Sequence, residues 1–406
     1  MKIAVLRETK PNETRVAASP ETVKKFVGLG VEVAVEAGAG EAASMPDAAY
    51  KDAGATIAKD AKSAAKGAAL ALKVLGPTEA EIAALPRGCA IVSIVAPHAN
   101  GDLLNAAAKA GIDLFAMDLM PRITRAQSMD VLSSQSNLAG YKAVIDAAAY
   151  IGSAMPMMMT AAGTIAPAKV FVMGAGVAGL QAIATARRLG AVVSATDVRF
   201  AAKEQVESLG ATFVVVDEAA MKEAETEGGY AKEMSQDFQT RQAEFVAEHI
   251  KKQDIVVTTA LIPGRPAPRL VSEEMVRSMR KGSVIVDLAA EQGGNVALTR
   301  PGETVDVDGV SIIGHRNVPG RLAADASALY ARNVFNFVST FFDKDSGTFP
   351  TDWDDDIVKA IALVRAGAII HPQFAGEPAT AAPEAETGAE PEDQAPAESN
   401  GETDNA

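Results

Sequence analysis

The stretch Lys169–Asp197, KVFVMGAGVAGLQAIATARRLGAVVSATD, constrains the fold more than any other part of the chain. Val170, Phe171, Val172 and Met173 form a short apolar run suited to a strand buried on both faces. Three glycines follow in GxGxxG spacing. Gly174 allows a tight turn, Gly176 lets backbone approach a pyrophosphate, and Gly179 permits close packing of helix on strand. The helix that follows opens with free N–H groups and the positive end of its dipole at that place. Gly190 closes it, and Val192 and Val193 begin a second strand. Asp197 falls 18 residues after Gly179, where a carboxylate accepts hydrogen bonds from both hydroxyls of an adenosine ribose. The same carboxylate repels a 2′-phosphate. A bare GxGxxG is as often a plain turn between core elements. Strand, helix, second strand and acid together predict an NAD(H) site, with Val198 and Arg199 beside the acid.

With 406 residues the chain has room for two substantial cores. Its 48% hydrophobic and 22% charged residues are those of a soluble globular protein. The single cysteine, Cys89, excludes an intramolecular disulfide and suits a reducing cytoplasm. It lies within the apolar run CAIVSIV, so it reads as a buried small hydrophobe, not a nucleophile. No basic segment followed by an apolar core opens the chain, so no export signal is expected. Residues 147–168 are uncharged over a membrane-spanning length. Gly152, Pro156, Gly163 and Pro167 interrupt them, and alanine dominates. They predict a helix end, a buried Met-rich turn and a connector, with no membrane span.

The net charge of −14 is unevenly placed: residues 375–406 hold nine acidic residues and no Lys or Arg, leaving −5 on the body. That distribution argues against nucleic-acid binding. From Ala375 the chain has no large apolar residue, and a disordered acidic tail over 373–406 is expected.

Alternation of strands and helices organises the rest. IAVL (3–6), VEVAV (31–35), ALALKV (69–74), AIVSIV (90–95) and DLFAM (113–117) read as strands of a first parallel sheet. VFVM, VVSAT, TFVVV (212–216), IVVTT (255–259), VIVD (284–287) and SIIG (311–314) make a second. No strand pattern follows Gly314. Leu322, Leu329, Tyr330, Val334, Phe337, Val338 and Phe341 instead predict an amphipathic helix that packs back on the first domain. Asn137 to Ile151 reads as a helix linking the domains. The expected fold is α/β: two Rossmann-like, doubly wound parallel-sheet domains separated by a cleft. The first comprises 1–135 plus 315–372, the second 136–314, and the cleft is the default ligand site.

The junction segment PRITRAQSMDVLSSQSNLAGYK (121–142) is unusually polar. A nicotinamide offers such residues a use, since its carboxamide needs a donor and an acceptor and a pyrophosphate takes an arginine. RITRAQSMDVLSSQSNLAGY and MGAGVAGLQAIATARRLGA closely resemble the soluble NAD(H)-binding alpha component of proton-translocating NAD(P) transhydrogenases. RETKPNETRVAASP, TTALIPGRPAP and SVIVDLAAEQGGN fit that family too, and are shared with its relative alanine dehydrogenase.

The resemblance, which covers roughly residues 1–372, implies that Arg122, Gln127, Asp130 and Ser133 form a loop over the nicotinamide. Gln127 would reach toward NADP(H) bound on a partner subunit. Val177, Asp197 and Arg199 would hold the adenosine half, with Ala260 and Leu261 of the TTALIPG segment also lining the cofactor. Gly229 and Tyr230 match a mobile loop that closes over NAD(H). It further implies a homodimer and separate membrane-spanning and NADP(H)-binding subunits. The chain would then sit at the cytoplasmic face of the cell membrane through those partners.

Two departures from alanine dehydrogenase separate the readings. Lys73 matches that enzyme's strand lysine, but Ala96 stands where it has a proton-transferring histidine, with His98 two residues on, beyond Pro97. His249, His315 and His371 show no catalytic pattern, and no metal-ligand cluster is visible. Oxidising an amino or hydroxy acid requires a proton to leave along with the hydride. Transfer between two nicotinamides requires only close, oriented carbons and exclusion of water. Hydride transfer from NADH to NADP⁺, coupled to proton translocation, is therefore the expected function. An alanine dehydrogenase-like oxidoreductase and a non-catalytic NAD-sensing module are the alternatives.

Overall fold

The computed structural model describes residues 1–218, 221, 236–262 and 264–375. The apolar runs become two sheets. The first draws on β1 (Lys2–Val5), β2 (Glu32–Glu36), β3 (Thr56–Ala58), β4 (Leu70–Leu75), β5 (Ala90–Ile94) and β6 (Asp113–Ala116). A small hairpin, β7 (Met158–Thr160) and β8 (Gly163–Ile165), precedes the second sheet. That sheet contains β9 (Lys169–Met173), β10 (Val192–Thr196), β11 (Thr212–Phe213), β12 (Ile255–Thr258), β13 (Val284–Asp287), β14 (Thr304–Val307) and β15 (Val310–Ile313). The chain then returns to the first sheet with β16 (Ala362–Arg365) and β17 (Ala368–Ile369). The sheet orders are β17-β16-β6-β5-β4-β1-β2-β3 and β11-β10-β9-β12-β13-β15-β14.

Period-two alternation decides which core each residue joins. Ile3, Val5, Leu70, Leu72, Val92 and Phe115 face one side and pack on Tyr330, Val334 and Phe337 of the helix Ala323–Thr340. Ala4, Ala71, Ile91 and Leu114 face the other, against Ile82, Leu104 and Ala107. The second sheet does the same. Val170, Val172, Val193 and Val257 meet Ala182, Ile183 and Ala186, while Phe171, Val256 and Ile285 meet Val246, Ile250 and Val276.

The linking helix runs Val131–Tyr150. Its first residue, Val131, belongs to the first domain's core, and Ala143, Val144 and Ala147 belong to the second's. Residues 314–322 make the return crossing. Among the described residues no helix is long and apolar enough to cross a membrane.

Three expectations fail locally. Strands do follow Gly314: β16 runs antiparallel to β6 and pairs with β17. Ala366 (φ 49°) and Gly367 (φ 87°) form a two-residue turn between them, and strands this short leave little periodicity to read. The Met-rich segment is not a buried turn but the β7–β8 hairpin, with Met159 80% exposed. TFVVV contributes only Thr212 and Phe213 as strand. Beyond the expected parallel strands, β14 adds an antiparallel edge, joined to β15 by Asp308 (φ 54°) and Gly309 (φ 89°). That Asp-Gly pair is a hairpin signature the parallel pattern overshadowed. The expected disordered tail lies, from residue 376 onward, outside the described residues.

Candidate dinucleotide site

The glycine loop sits at the carboxyl end of β9, an interior strand of its sheet, where open α/β sheets receive ligands. Gly174 has φ 102°, and a β-carbon there would lie 2.5 Å from Thr259 Oγ1. Gly179 permits the closest approach: its β-carbon would fall 1.8 Å from the Gly174 carbonyl oxygen. Gly176 instead faces open space, with nothing within 4 Å of a β-carbon. Two glycines let the turn and helix close on each other, and the third leaves room for a phosphate over the helix N-terminus. The helix Val177–Arg188 starts there with no side-chain cap, so its first amides remain available to an anion.

Asp197 follows β10 and faces back onto the loop. Its Oδ2 accepts from the Ala175 amide at 2.7 Å, and Oδ1 accepts from the Arg199 amide at 2.9 Å. The Arg199 guanidinium also forks onto it, with Nε 2.9 Å from Oδ1 and Nη2 3.0 Å from Oδ2. The carboxylate thus fixes the glycine turn and shares its charge with an arginine. Val177 and Val198, 40% and 72% exposed, leave apolar surface on either side, as an adenine would use.

Two residues of SVIVDLAAEQGGN, to which the sequence alone attached no role, organise the opposite side of the site. Asn295, fully buried, donates to the carbonyls of Ala260 and Pro268 at 2.8 Å each and accepts from the Ala260 amide at 3.0 Å. One amide side chain thus pins both ends of the Ala260–Pro268 loop, on which Leu261 is 48% exposed. Asp287, at the end of β13 and 1% exposed, accepts from Thr258 Oγ1, the Ala289 and Val296 amides, and Thr299 Oγ1 at 2.7–3.2 Å. A polar residue ending an all-apolar strand was the available sign. Thr259 Oγ1 donates to the Gly174 carbonyl at 3.0 Å, which ties this loop to the glycine turn.

The junction residues do not act alike. Asp130 caps the linking helix: its Oδ1 accepts from the Ser133 amide at 2.9 Å, and the Ser133 hydroxyl donates to Oδ2. Arg122 and Gln127 are exposed on the turn before it. Asn333 Nδ2 and Asn336 Nδ2 hold that turn by donating to the Ser128 carbonyl at 2.8 and 3.0 Å. Ser133 and Gly140 lie two turns apart on one face of the linking helix, about 10 Å along its axis. Gly140 is pressed onto Ala178 at the start of the helix Val177–Arg188, so this face looks toward the glycine loop. Gly229 and Tyr230 lie outside the described residues.

His98 of the first domain reaches the cleft: exposed beyond Pro97, its ring would lie 3.2 Å from a β-carbon on Gly264 of the loop that bears Ala260 and Leu261. Lys73 is 1% exposed, with Nζ 2.8 Å from Glu81 and 3.4 Å from Glu8. Burial is the largest influence on Glu8 and holds its carboxyl above the ordinary range despite Lys73. Arg15 is likewise committed, forked onto Glu13 at 2.7–2.8 Å and donating to Gln135 Oε1 at 2.8 Å. Ala96 is exposed at the end of β5 in a left-handed conformation, φ 51°. Burial pushes the Cys89 thiol up to about 12, so it carries no thiolate. Among the described residues no group of three His, Cys, Asp or Glu could hold a metal.

Known proteins resemble this chain in sequence and fold. Residues 4–139 match the family model for the alanine dehydrogenase/PNT N-terminal domain, and residues 143–372 that for the C-terminal domain. The chain is 56% identical over 382 residues to an NAD(P) transhydrogenase subunit alpha polypeptide of Rhodospirillum rubrum, covering 93% of this chain and all of that one. The chain belongs to the NAD(P) transhydrogenase alpha-subunit family. A transhydrogenase crystal structure from Sinorhizobium meliloti superposes with a TM-score of 0.82 at 54% identity, covering 91% of this chain and 100% of that one. Alanine dehydrogenases are more distant relatives. That of Halomonas elongata is 30% identical, covering 85% of this chain and 88% of that one. A solved L-alanine dehydrogenase gives a TM-score of 0.77 at 26% identity, covering 92% and 98%. The C-terminal family model runs to residue 372, yet β16 and β17 within it complete the sheet of the N-terminal domain.

Proposed function

We propose that this chain is the NAD(H)-binding component of a proton-translocating transhydrogenase and passes hydride from NADH to NADP⁺ held on a partner subunit. The observation that carries the reading is the glycine turn closed on Asp197, in a chain of the transhydrogenase alpha-subunit family that has Ala96 at the end of β5 and holds Lys73 and Arg15 on carboxylates. Bound NADH supplies the hydride from its nicotinamide ring. The protein's own work is then binding and alignment. The open face at Gly176 and the uncapped helix beginning at Val177 receive the pyrophosphate. Asp197 receives the adenosine ribose, Arg199 adjusting its hold on the carboxylate, and Val177 and Val198 flank the base. The Asn295-pinned loop bearing Ala260 and Leu261 borders the nicotinamide half. Arg122, Gln127, Asp130 and Ser133 cover the ring, with Gln127, exposed on its turn, directed at the partner's nucleotide. Close approach of two oriented rings in a water-excluded site supplies most of the rate advantage.

The exposed β7–β8 hairpin supports a homodimer. Met157, Met158, Met159 and Ile165 are 41–80% exposed in one short segment, an apolar surface a second copy would cover. Partner subunits would supply the NADP(H) site and the membrane-spanning proton path, holding this chain at the cytoplasmic face of the membrane.

Reconstitution tests the function. NADH-dependent reduction of NADP⁺ should appear only when the chain is combined with its membrane and NADP(H)-binding subunits. NADH oxidation by the isolated chain with pyruvate and ammonia would instead make it an alanine dehydrogenase.

A further inference from the structure

The return crossing between the domains is lined with cations. Residues 314–322 carry His315, Arg316 and Arg321, and the linking helix beside them carries Lys142 and Asp146. Asp146, only 8% exposed, pairs with Lys142 and lies 3.4 Å from Arg321 Nε and 4.0 Å from His315 Nε2. Next to this knot opens a cavity of about 320 Å³, bounded by Asn12 of the first domain, Gly302 and Glu303 of the second, and His315, Arg316 and Arg321 of the crossing.

Two features suit it to an anion. Arg316 has no carboxylate within 4 Å among the described residues, and Glu303, the acid in the cavity wall, is itself paired with Arg300 at 3.6 Å. Counting Lys142, Arg300, Arg316 and Arg321 against Asp146, Glu303 and Glu291, whose carboxylate accepts from the Asn317 amide at 2.9 Å, the region is net positive by one in a chain of charge −14. Gly302, in the cavity wall, has φ 89°, a turn conformation that favours glycine. Burial, more than the nearby Arg321 and Lys142, lowers the His315 pKa, which leaves it a neutral hydrogen-bonding partner beside the two arginines.

We propose that this cavity binds a small phosphorylated metabolite, its phosphate held by Arg316 and Arg321 at the hinge between the domains. A guanidinium pair matches phosphate geometry better than ammonium groups would. At about 320 Å³ the depression is open to solvent and leaves room for a small organic body beside the phosphate. Arg321 would be shared between Asp146 and the ligand, which links occupancy to the contact that ties the two crossings together. The proposal does not depend on the reading of the dinucleotide cleft.

Calorimetry on the full chain with NADH held at saturation keeps phosphate out of the glycine loop. Glycerol phosphate and orthophosphate are the probes. The wild-type chain should bind one equivalent of glycerol phosphate, and orthophosphate more weakly. Arg316→Gln, an exposed change, should weaken binding at least roughly tenfold with unaltered NADH affinity, and Glu303→Gln should tighten it roughly threefold, each step following from one charge lost near the phosphate. Binding of orthophosphate as tight as glycerol phosphate would remove the organic body from the proposal and overturn it in that form. No binding with NADH present, or equal binding by wild type and both variants, would overturn it entirely.

Discussion

Gly140 of the linking helix lies so close to Ala178 that a β-carbon on it would fall 2.0 Å from the Ala178 carbonyl oxygen. The helix that joins the domains is therefore seated on the first turn of the helix that follows the glycine loop. In an exposed helix interior, Gly→Ala would stabilise by up to about 1 kcal/mol. Here the contact is with backbone, which cannot rotate away, so overpacking decides the sign. Gly140→Ala should lose about 1–3 kcal/mol of stability and weaken NADH binding, as the two helices separate. Chemical denaturation and calorimetry check both, and a stabilised variant with normal affinity would refute the close seating.

Asp197 accepts from Ala175 and Arg199 in the chain, and in the proposed function it also accepts from the ribose of NADH. Asp197→Ala should reduce NADH affinity by roughly 1–3 kcal/mol and lessen discrimination against NADPH. Titration of both nucleotides by calorimetry measures it. Unchanged NADH binding would remove Asp197 from the site.

Asn295→Ala would leave the Ala260 amide and the Ala260 and Pro268 carbonyls without their buried partner. Each buried group left unsatisfied costs on the order of 1–3 kcal/mol, partly relieved if water enters. The variant should melt several degrees lower and bind NADH more weakly through the loosened Ala260–Leu261 segment. A wild-type melting temperature would show that the loop is held by other contacts.

Much of this was legible in the sequence because the strongest elements answer to local chemistry. Gly174, Gly176, Gly179 and Asp197 are dictated by one turn, and they hold the geometry their spacing implies. The amphipathic pattern at Tyr330, Val334 and Phe337 likewise found the first core. What escaped depended on contacts distant in sequence. β16 is defined by pairing with β6, more than 240 residues away, and the hairpin at Met158–Ile165 is exposed where apolar composition suggested burial. Gly140 gave no sign in its own helix, since its requirement comes from Ala178. Asn295 was hidden for the same reason: its partners lie on another loop.

Burial lowers the pKa values of His249, His315 and His371 in the folded chain. Below the unfolded value of about 6.5 the unfolded chain binds more protons than the folded one, so stability falls as pH falls through that value. Glu8, Asp113 and Asp118 are raised by burial and act with the opposite sign, their contribution falling as pH rises above the ordinary carboxylate range. Near neutrality the histidines dominate. Melting temperature should drop between about pH 7.5 and pH 5.5, and His249→Gln should flatten that drop. His249 sits 2.8 Å from Ser194 Oγ and edge-on to Phe171, so glutamine retains the polar contact. An unchanged slope in the variant would exclude His249 as a contributor.

In the proposed function this chain presents NADH to a second nicotinamide on another subunit, with Gln127 helping to align the two. Single-turnover stopped-flow tests it most directly, mixing the NADH-loaded chain with an NADP⁺-loaded partner subunit. Wild type should transfer hydride in one rapid phase. Gln127→Asn should do so at least roughly tenfold more slowly with a near-normal NADH dissociation constant, since a misplacement of about 1 Å can cost roughly 10²-fold in rate. No transfer by the wild-type complex, or an unaltered rate in the variant, would contradict the account.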